Sequence, residues 1–322
     1  MMSGHYSFTS CFAPFIESMI TEKRNAGFQY EHAEWILHKF DEFCNQEQVE
    51  TPVITQELAG KWGTLCKTET KVTLAGRISV LRQLSLYMQA YGIKCYVPRN
   101  FTRKSSRIAY VLSIEEIQSL FLEIDSYQPT INAEVFHRLA LEYRILFRML
   151  FCCGLRVSEA RKLRLDMVDP ENGVLKIYQS KGSNDRLVYL PDDLRQLCCE
   201  YLKIMTVKYK IKSEWFFPAS DPAKVLQVAS VGKRFHRAWE QTPYAREGVL
   251  QPTVHSLRHT FVVLRMNEWM KSGVKLDNMM PYLSKYLGHS SPDDTFYYYH
   301  QVEEAFSIIK QKDQSASFVI PE

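Results

Sequence analysis

Val174-Leu175-Lys176-Ile177-Tyr178 and Leu187-Val188-Tyr189-Leu190 are two short β-type runs in a chain that otherwise reads as helix. Between them lies Ser180-Lys181-Gly182-Ser183-Asn184-Asp185, rich in turn residues. Two such runs joined by a Gly-containing polar stretch predict an antiparallel hairpin. On the N-terminal side, Ser113 with Glu116 three residues later is a capping box, opening a helix through Phe121. Val135 to Cys152 reads as a strongly apolar helix and Val157 to Leu163 as a short one. From Pro191 onward the apolar spacing is helical again, broken near Pro218, Pro243, Pro252 and Pro292. The tail after Gln311 is polar. The expected fold is therefore mainly α: an N-terminal helical bundle, then an α-rich domain with a small antiparallel β-sheet.

Further out, residues 11–92 predict about four helices. Phe15, Ile16, Met19 and Ile20 fall at helical spacing, as do Trp35, Ile36, Phe40 and Phe43. Thr55 to Leu65 gives a shorter segment. Thr70 to Tyr91 gives a long one, with Leu74, Ile78, Leu81, Leu84 and Met88 on one stripe and Gly92 as its stop. A bundle over 1–97 buries these stripes. Pro98 to Arg107 then carries Arg99, Arg103, Lys104 and Arg107 among Ser, Thr and Asn, and the remainder, 108–322, forms the second domain. The basic segment reads as a solvated linker or as a strap along a phosphate backbone.

Composition narrows the classes. The chain has 322 residues, 46% of them hydrophobic, enough for two cores. The net charge of +4 is mild, so binding to nucleic acid would have to rest on local patches. The longest apolar stretch, Ile145 to Leu155, is short and carries Arg148, which argues against a membrane span. The start, MMSGHYSFTSCF, shows no basic region followed by an apolar run, so no secretory signal is expected. The eight cysteines include the vicinal pairs Cys152-Cys153 and Cys198-Cys199 but no C-x-x-C; they read as buried thiols of a reducing cytosol. No P-loop, dinucleotide or G-x-S-x-G signature is present. His255 and His259 are four apart, but Ser256 stands where a zinc-protease helix would need Glu.

What remains is a series of basic and phenolic residues on punctuated segments: Gly154-Leu155-Arg156-Val157-Ser158-Glu159, with Arg156 at a helix start; Lys181 at the hairpin tip; His255-Ser256-Leu257-Arg258-His259, with His255 and Arg258 on one helical face; Leu287-Gly288-His289, just past a glycine stop; and Asp294-Thr295-Phe296-Tyr297-Tyr298-Tyr299-His300, with three phenols. Singly each is ordinary. In this order, over about residues 106–300, the strings GLRVSE, SKGSNDRLVYLP, HSLRHTF and LGHSSPDDTFYYYH resemble the tyrosine recombinase (phage integrase) family. The spacing from Arg258 to His289 runs slightly long, with Lys271 to Lys275 as the extra loop.

The resemblance implies that Arg156 and Arg258 clamp a scissile phosphate and that Lys181 protonates the leaving oxygen. It further implies that His255 and His289 are active-site histidines, that Glu159 steadies the first arginine, and that Tyr298, nine residues after His289, is the nucleophile. It implies a site-specific recombinase that acts on double-stranded DNA at specific sites through a 3′-phosphotyrosine. Neither metal nor ATP nor other cofactor is expected. A homotetramer on synapsed DNA is implied, with a monomer or weak oligomer when free, in the cytoplasm at the nucleoid. By position and class, the N-terminal bundle fits the family's core-binding domain. Two other readings stand beside it: a type IB topoisomerase-like enzyme relaxing DNA as a monomer, and a DNA-binding relative that has lost catalysis. The compact two-domain size and the LGHSS string favour the recombinase. For the tyrosines, Pro292, Asp293 and Asp294 predict a short helix on which only one of Tyr297, Tyr298 and Tyr299 could face the phosphate.

Overall fold

The computed structural model describes residues 6–66, 69–99, 109–178, 185–246, 250–289, 293–296 and 298. The chain divides into two compact units, Met1–Arg107 and Ile108–Glu322. Lys181, Arg103, Lys104, Arg107, Tyr297, Tyr299, His300 and the tail after Gln311 lie outside the described residues.

The first unit contains four described helices, α1 (Ala13–Asn25), α2 (Glu31–Gln46), α3 (Gln56–Trp62) and α4 (Lys71–Ala90). Thr55 and Thr70 cap α3 and α4 by accepting from the backbone N–H three residues on. Ile16, Met19, Ile20, Leu37, Phe40, Leu81, Leu84 and Met88 make the core. Each fully buried side chain of this kind contributes roughly 2 kcal/mol. Trp35 departs from the expected stripe: it is 44% exposed and stacks on His32. Neighbouring helical residues point about 100° apart, and Ile36 holds the inward position.

The second unit opens with α5 (Ile114–Ser126). The Ser113–Glu116 capping box forms as expected, but the helix runs past Phe121 because Leu120 and Ile124 continue the buried stripe. Then come α6 (Glu134–Cys152) and α7 (Val157–Arg161), a three-stranded antiparallel sheet of β1 (Val168–Asp169), β2 (Val174–Ile177) and β3 (Arg186–Tyr189), and α8 (Asp192–Val207). In the β2–β3 register, Leu175 faces Val188 and Ile177 faces Arg186. Leu175, Ile177 and Val188 are buried while Leu187 and Tyr189 are exposed, the alternation of a sheet with one covered face. The unit continues with α9 (Val228–Glu240), α10 (Val254–Lys271), α11 (Leu276–Leu287) and the one-turn α12 (Asp293–Phe296). The α10–α11 connection falls at the Lys271–Lys275 loop.

Helix α6 is the spine of this unit, packed against α8 and α10. It buries the ion pair of Arg138 with Glu142, and Arg138 also donates to the carbonyls of Pro218 and Ala219. All eight cysteines are free thiols. Cys44, Cys95, Cys153 and Cys198 are buried as expected, but Cys66 and Cys199 are exposed. Cys199 follows Cys198 on α8, so the core face that takes one sends the other outward. Among the described residues, no helix is long and apolar enough to cross a membrane.

The turn from α6 into α7 passes through Gly154, at φ +62°. A Cβ there would lie 2.5 Å from the Phe261 ring of α10, so both backbone and space demand glycine. Gly154→Ala is expected to cost roughly 2 to 5 kcal/mol, from the left-handed backbone and the overpacking together. Urea unfolding measures this; a loss under about 0.5 kcal/mol would refute it.

Candidate active site

The site grows from the C-terminal end of α11. Gly288, left-handed at φ 65°, ends the helix. Its N–H bonds the Lys285 carbonyl, and the His289 N–H bonds the Ser284 carbonyl. This Schellman closure leaves the next three carbonyls, of Tyr286, Leu287 and Gly288, for other donors. Arg186 takes the first at 2.6 Å, Arg258 the second at 2.8 Å and Arg156 the third at 2.7 Å. Three guanidiniums from β3, α10 and the start of α7 thus meet one helix end, where the helix dipole is negative. Gly288 also makes room for them. A Cβ there would lie 2.8 Å from Nη1 of Arg186 and 3.4 Å from Nη1 of Arg156.

Glu159 on α7 is the counter-charge. Its carboxylate accepts the Arg156 backbone N–H at 2.8 Å, Nη1 of Arg156 at 2.8 Å, and two parallel bonds from Arg186 at 3.0 and 2.9 Å. Nη1 of Arg258 lies 4.0 Å away. Burial acts most strongly on this carboxyl and would raise its pKa; the bonds and charges of Arg186 and then Arg156 outweigh it and hold the group below its usual range. Arg258 is 1% exposed and also donates to the Gly154 carbonyl at 2.6 Å. Burial, and then the charge of Arg156, push its pKa down to about 10, so it stays cationic at neutral pH.

Two histidines border the arginines. Nε2 of His289 lies 3.0 Å from Nη2 of Arg258 and Nδ1 lies 2.6 Å from Oγ1 of the buried Thr295. A guanidinium only donates, so Nε2 accepts and Nδ1 carries the proton toward Thr295. Burial, then Arg258 and Arg156, push His289 down to about 3. His255, one turn before His259 on α10, keeps an open edge to solvent. Desolvation by the chain around it, then Arg258 and Arg156, push it down to about 4. Both are neutral at pH 7.

Tyr298 is 4% exposed, packed in a cluster with Phe261, Val262, Met266, Leu283 and Leu287. Its phenol oxygen lies 2.6 Å from Nδ1 of His259, whose ring meets that of His255 edge to face at 4.4 Å. The phenol is close enough to Arg258 for their charges to interact. Helix α12 stops at Phe296, so Tyr298 sits beyond it, in a turn closed by its N–H on the Thr295 carbonyl. Tyr298 is in a turn rather than in the described helix, and the choice among the three tyrosines by helical phase lies outside the described residues, since Tyr297 and Tyr299 do. The nine-residue step from His289 is unaffected.

The structure thus brings together Arg156, Glu159, Arg258 and His289 directly, and Tyr298 and His255 through His259. Lys181 lies outside the described residues; of the strands on either side of it in sequence, β2 ends at Ile177 and β3 begins at Arg186, which bonds Glu159. Arg99, the one residue of the basic segment's four within the described set, is exposed in the first unit. The sequence reading missed Arg186, His259 and Thr295. Arg186 had a signal: it shares a strand face with buried Val188, so it is a charge on an apolar face. Among the described residues, no three His, Cys, Asp or Glu side chains group as a metal site.

A model of the phage integrase family matches residues 112–305, more than half the chain and all of this site. The chain belongs to the phage integrase family. It is therefore an enzyme of the tyrosine-recombinase class, as the motif resemblance implied. An integrase/recombinase of Sinorhizobium fredii, y4rB, is 28% identical over 90% of this chain and 92% of its own. The tyrosine recombinase XerC of Thermodesulfovibrio yellowstonii is 24% identical over 81% of this chain and 82% of its own. Among solved structures, XerH recombinase bound to a palindromic difH substrate superposes with a TM-score of 0.63 at 22% identity, over 92% of this chain and 84% of that one. A lambda integrase dimer bound to a COC′ core site gives 0.60 at 15%, over 92% and 82%. These likenesses bear out the mainly helical fold with its small antiparallel sheet.

Two outcomes are expected from this geometry. Arg186→Met removes one partner of a buried charge pair and should cost about 3 kcal/mol, the lower end for such a loss because Glu159 keeps Arg156. Arg186→Lys should recover only part of it, since an ammonium cannot reproduce the two-pronged fork. Equal urea midpoints for wild type and Arg186→Met would contradict the role of the fork. Acid sensitivity follows from the histidines. Their folded pKa values, about 3 for His259 and His289, lie below the ordinary 6.5, so the unfolded chain takes up protons first. Stability should be full above pH 6.5 and fall steadily toward pH 4, and a His289→Gln variant should show a shallower fall. A urea midpoint flat between pH 7 and pH 4.5 would rule this out.

Proposed function

We propose that this chain cuts and rejoins DNA at specific sites, with Tyr298 as nucleophile and a 3′-phosphotyrosine as the intermediate. The observation that carries the reading is the convergence of Arg156, Arg258 and His289 on one helix end, with the Tyr298 phenol within the electrostatic reach of Arg258. A phosphodiester repels nucleophiles with its own charge. Guanidiniums held in place bind its non-bridging oxygens and stabilise the added charge of the pentacoordinate state. An ordinary phenol, with a pKa near 10, attacks well only where positive charge favours its phenolate.

In the cleavage step the Tyr298 oxygen bonds to phosphorus and gives up its proton to solvent water, the nearby charge of Arg258 favouring the phenolate. The bond from phosphorus to the 5′ oxygen breaks, and that oxygen receives a proton from Lys181. His255 borders the phosphate and can donate to it, while His289 orients Arg258, from which its Nε2 accepts. The phosphotyrosine conserves the energy of the broken bond, so a 5′-hydroxyl of a second strand can reverse the step without ATP, and the cationic groups serve in place of a metal ion. Recombination pairs two sites in a homotetramer and proceeds through a Holliday junction, on the DNA of the cytoplasmic nucleoid. Residues 1–97 serve as a DNA-gripping domain in addition to the catalytic domain, 108–322. The segment 98–107 lays Arg99, Arg103, Lys104 and Arg107 along the backbone. The solved relatives bound to DNA support this assignment of the partner.

The test traps the covalent adduct on a nicked substrate in excess EDTA. Wild type should form it; Tyr298→Phe should not, while still binding DNA. Lys181→Ala should be slow on ordinary DNA and largely recover when the 5′ bridging oxygen is sulfur, since a thiolate leaves without a proton. An adduct in Tyr298→Phe, no sulfur rescue, or a strict need for Mg²⁺ would each overturn the corresponding assignment. A plasmid-relaxation assay beside a two-site recombination assay separates recombinase from topoisomerase.

A further inference from the structure

We propose that His259 is a positioning residue for the nucleophile, holding the Tyr298 phenol by accepting its O–H at Nδ1. This rests on the reading of Tyr298 as the attacking group. The contact is short, 2.6 Å, and joins side chains 39 residues apart. The rings sit 5.2 Å apart and tilted at 49°, so the imidazole meets the phenol at its oxygen rather than stacking on it. Helix α10 fixes the ring, since His259 directly follows Arg258, which is bonded to the Gly154 and Leu287 carbonyls. On its other side the ring of His255 packs edge-on. The phenol is thus tied, through this hydrogen bond, to the helix that carries Arg258.

What this contact can do follows from its chemistry. A phenol attacks with an oxygen lone pair, and rotation about its C–O bond decides whether proton or lone pair faces the phosphorus. An acceptor at one fixed place takes the proton to that side and leaves the lone pairs elsewhere. The same bond holds the ring in one position. Misplacing a nucleophile by an ångström costs on the order of 100-fold in rate, so such a tether matters to chemistry and not to DNA affinity.

His259 holds the proton in place rather than removing it. Burial, then His255 and Arg258, push its pKa down to about 3. Proton transfer from an ordinary phenol to such a ring is unfavourable by roughly seven orders of magnitude. A group that stays neutral is suited to accept the phenol's hydrogen bond in the resting site, up to the point at which the phenol gives up its proton.

The amide side chains separate holder from base. Asn presents its oxygen near the place of Nδ1, whereas Gln presents it near Nε2, and neither takes up a proton. The full-length protein would carry 3-fluorotyrosine at position 298, read by fluorine NMR without DNA, and single-turnover adduct formation would be followed on the nicked substrate. His259→Leu should shift the fluorine resonance, slow adduct formation about 100-fold and leave DNA affinity within about two-fold. His259→Asn should restore the resonance and most of the rate, and His259→Gln neither. His259→Leu at the wild-type rate overturns the proposal. So does His259→Asn as slow as His259→Leu with recovery on adding free imidazole, which makes His259 a base. An adduct in Tyr298→Phe overturns the nucleophile reading instead, and the fluorine resonance still reports the contact on its own.

Discussion

Three guanidiniums within reach of one another repel, and the catalytic unit is built around the means of keeping them together. Like charges a few ångströms apart cost several kcal/mol at the effective dielectric of a protein. Two things offset that cost. One is the Glu159 carboxylate, shared by Arg156 and Arg186 and close to Arg258. The other is the α11 C-terminus, whose last carbonyls each take one of the three. The consequence reaches far along the chain. Glycine is required at 288 both to turn the helix end and to admit two arginines. The sheet is required in order to bring Arg186 to Glu159, 27 residues away. Helix α10 must pass beneath Gly154 so that Arg258 can reach its carbonyl.

The same arrangement explains the histidines. Beside a buried cluster with excess positive charge, an imidazolium is penalised twice, by lost solvent and by its neighbours. His289 and His259 are therefore neutral hydrogen-bonding groups over the physiological range. Their tautomers follow from their partners: Arg258 can only donate to His289, which passes the direction on to Thr295. The polar chain from Arg258 through His289 to Thr295 also anchors α12, the turn from which Tyr298 follows.

Much of this was legible in the sequence, and what was not has a physical reason. The helical stripes, the Ser113 capping box and the hairpin follow from local periodicity and turn chemistry, which depend on neighbours a few residues away. Arg156, Glu159, Arg258, His289 and Tyr298 were legible because their spacing is a family pattern. Arg186 falls between the turn residues and the second β run and is assigned to neither; its inward direction appears only when the strand's alternation is followed back from Val188. His259 was weighed as half of a metal pair with His255, because nothing local connects position 259 with position 298. Trp35 misled in the opposite direction, since an aromatic beside a true core position imitates the stripe without belonging to it.

On the proposed reading, charge counting accounts for the site's fitness for phosphoryl transfer. Among the described residues, three guanidiniums and one carboxylate leave two positive charges, and the histidines add none. On the proposed reading, a phosphodiester arrives with one negative charge. Attack by a phenolate raises that to two in the pentacoordinate state. The described cluster is thus better matched to the transition state than to bound DNA, and Lys181 adds no charge once it has passed its proton to the leaving oxygen; this is the condition for lowering a barrier rather than merely tightening binding. Neutral histidines preserve the match, because a protonated His289 would favour the ground state as well. Glu159 has a second task here besides steadying Arg156. By cancelling one charge it keeps the cluster near the charge of the state to be stabilised, and the bonds and charges of Arg186 and Arg156 hold its pKa below the usual carboxylate range.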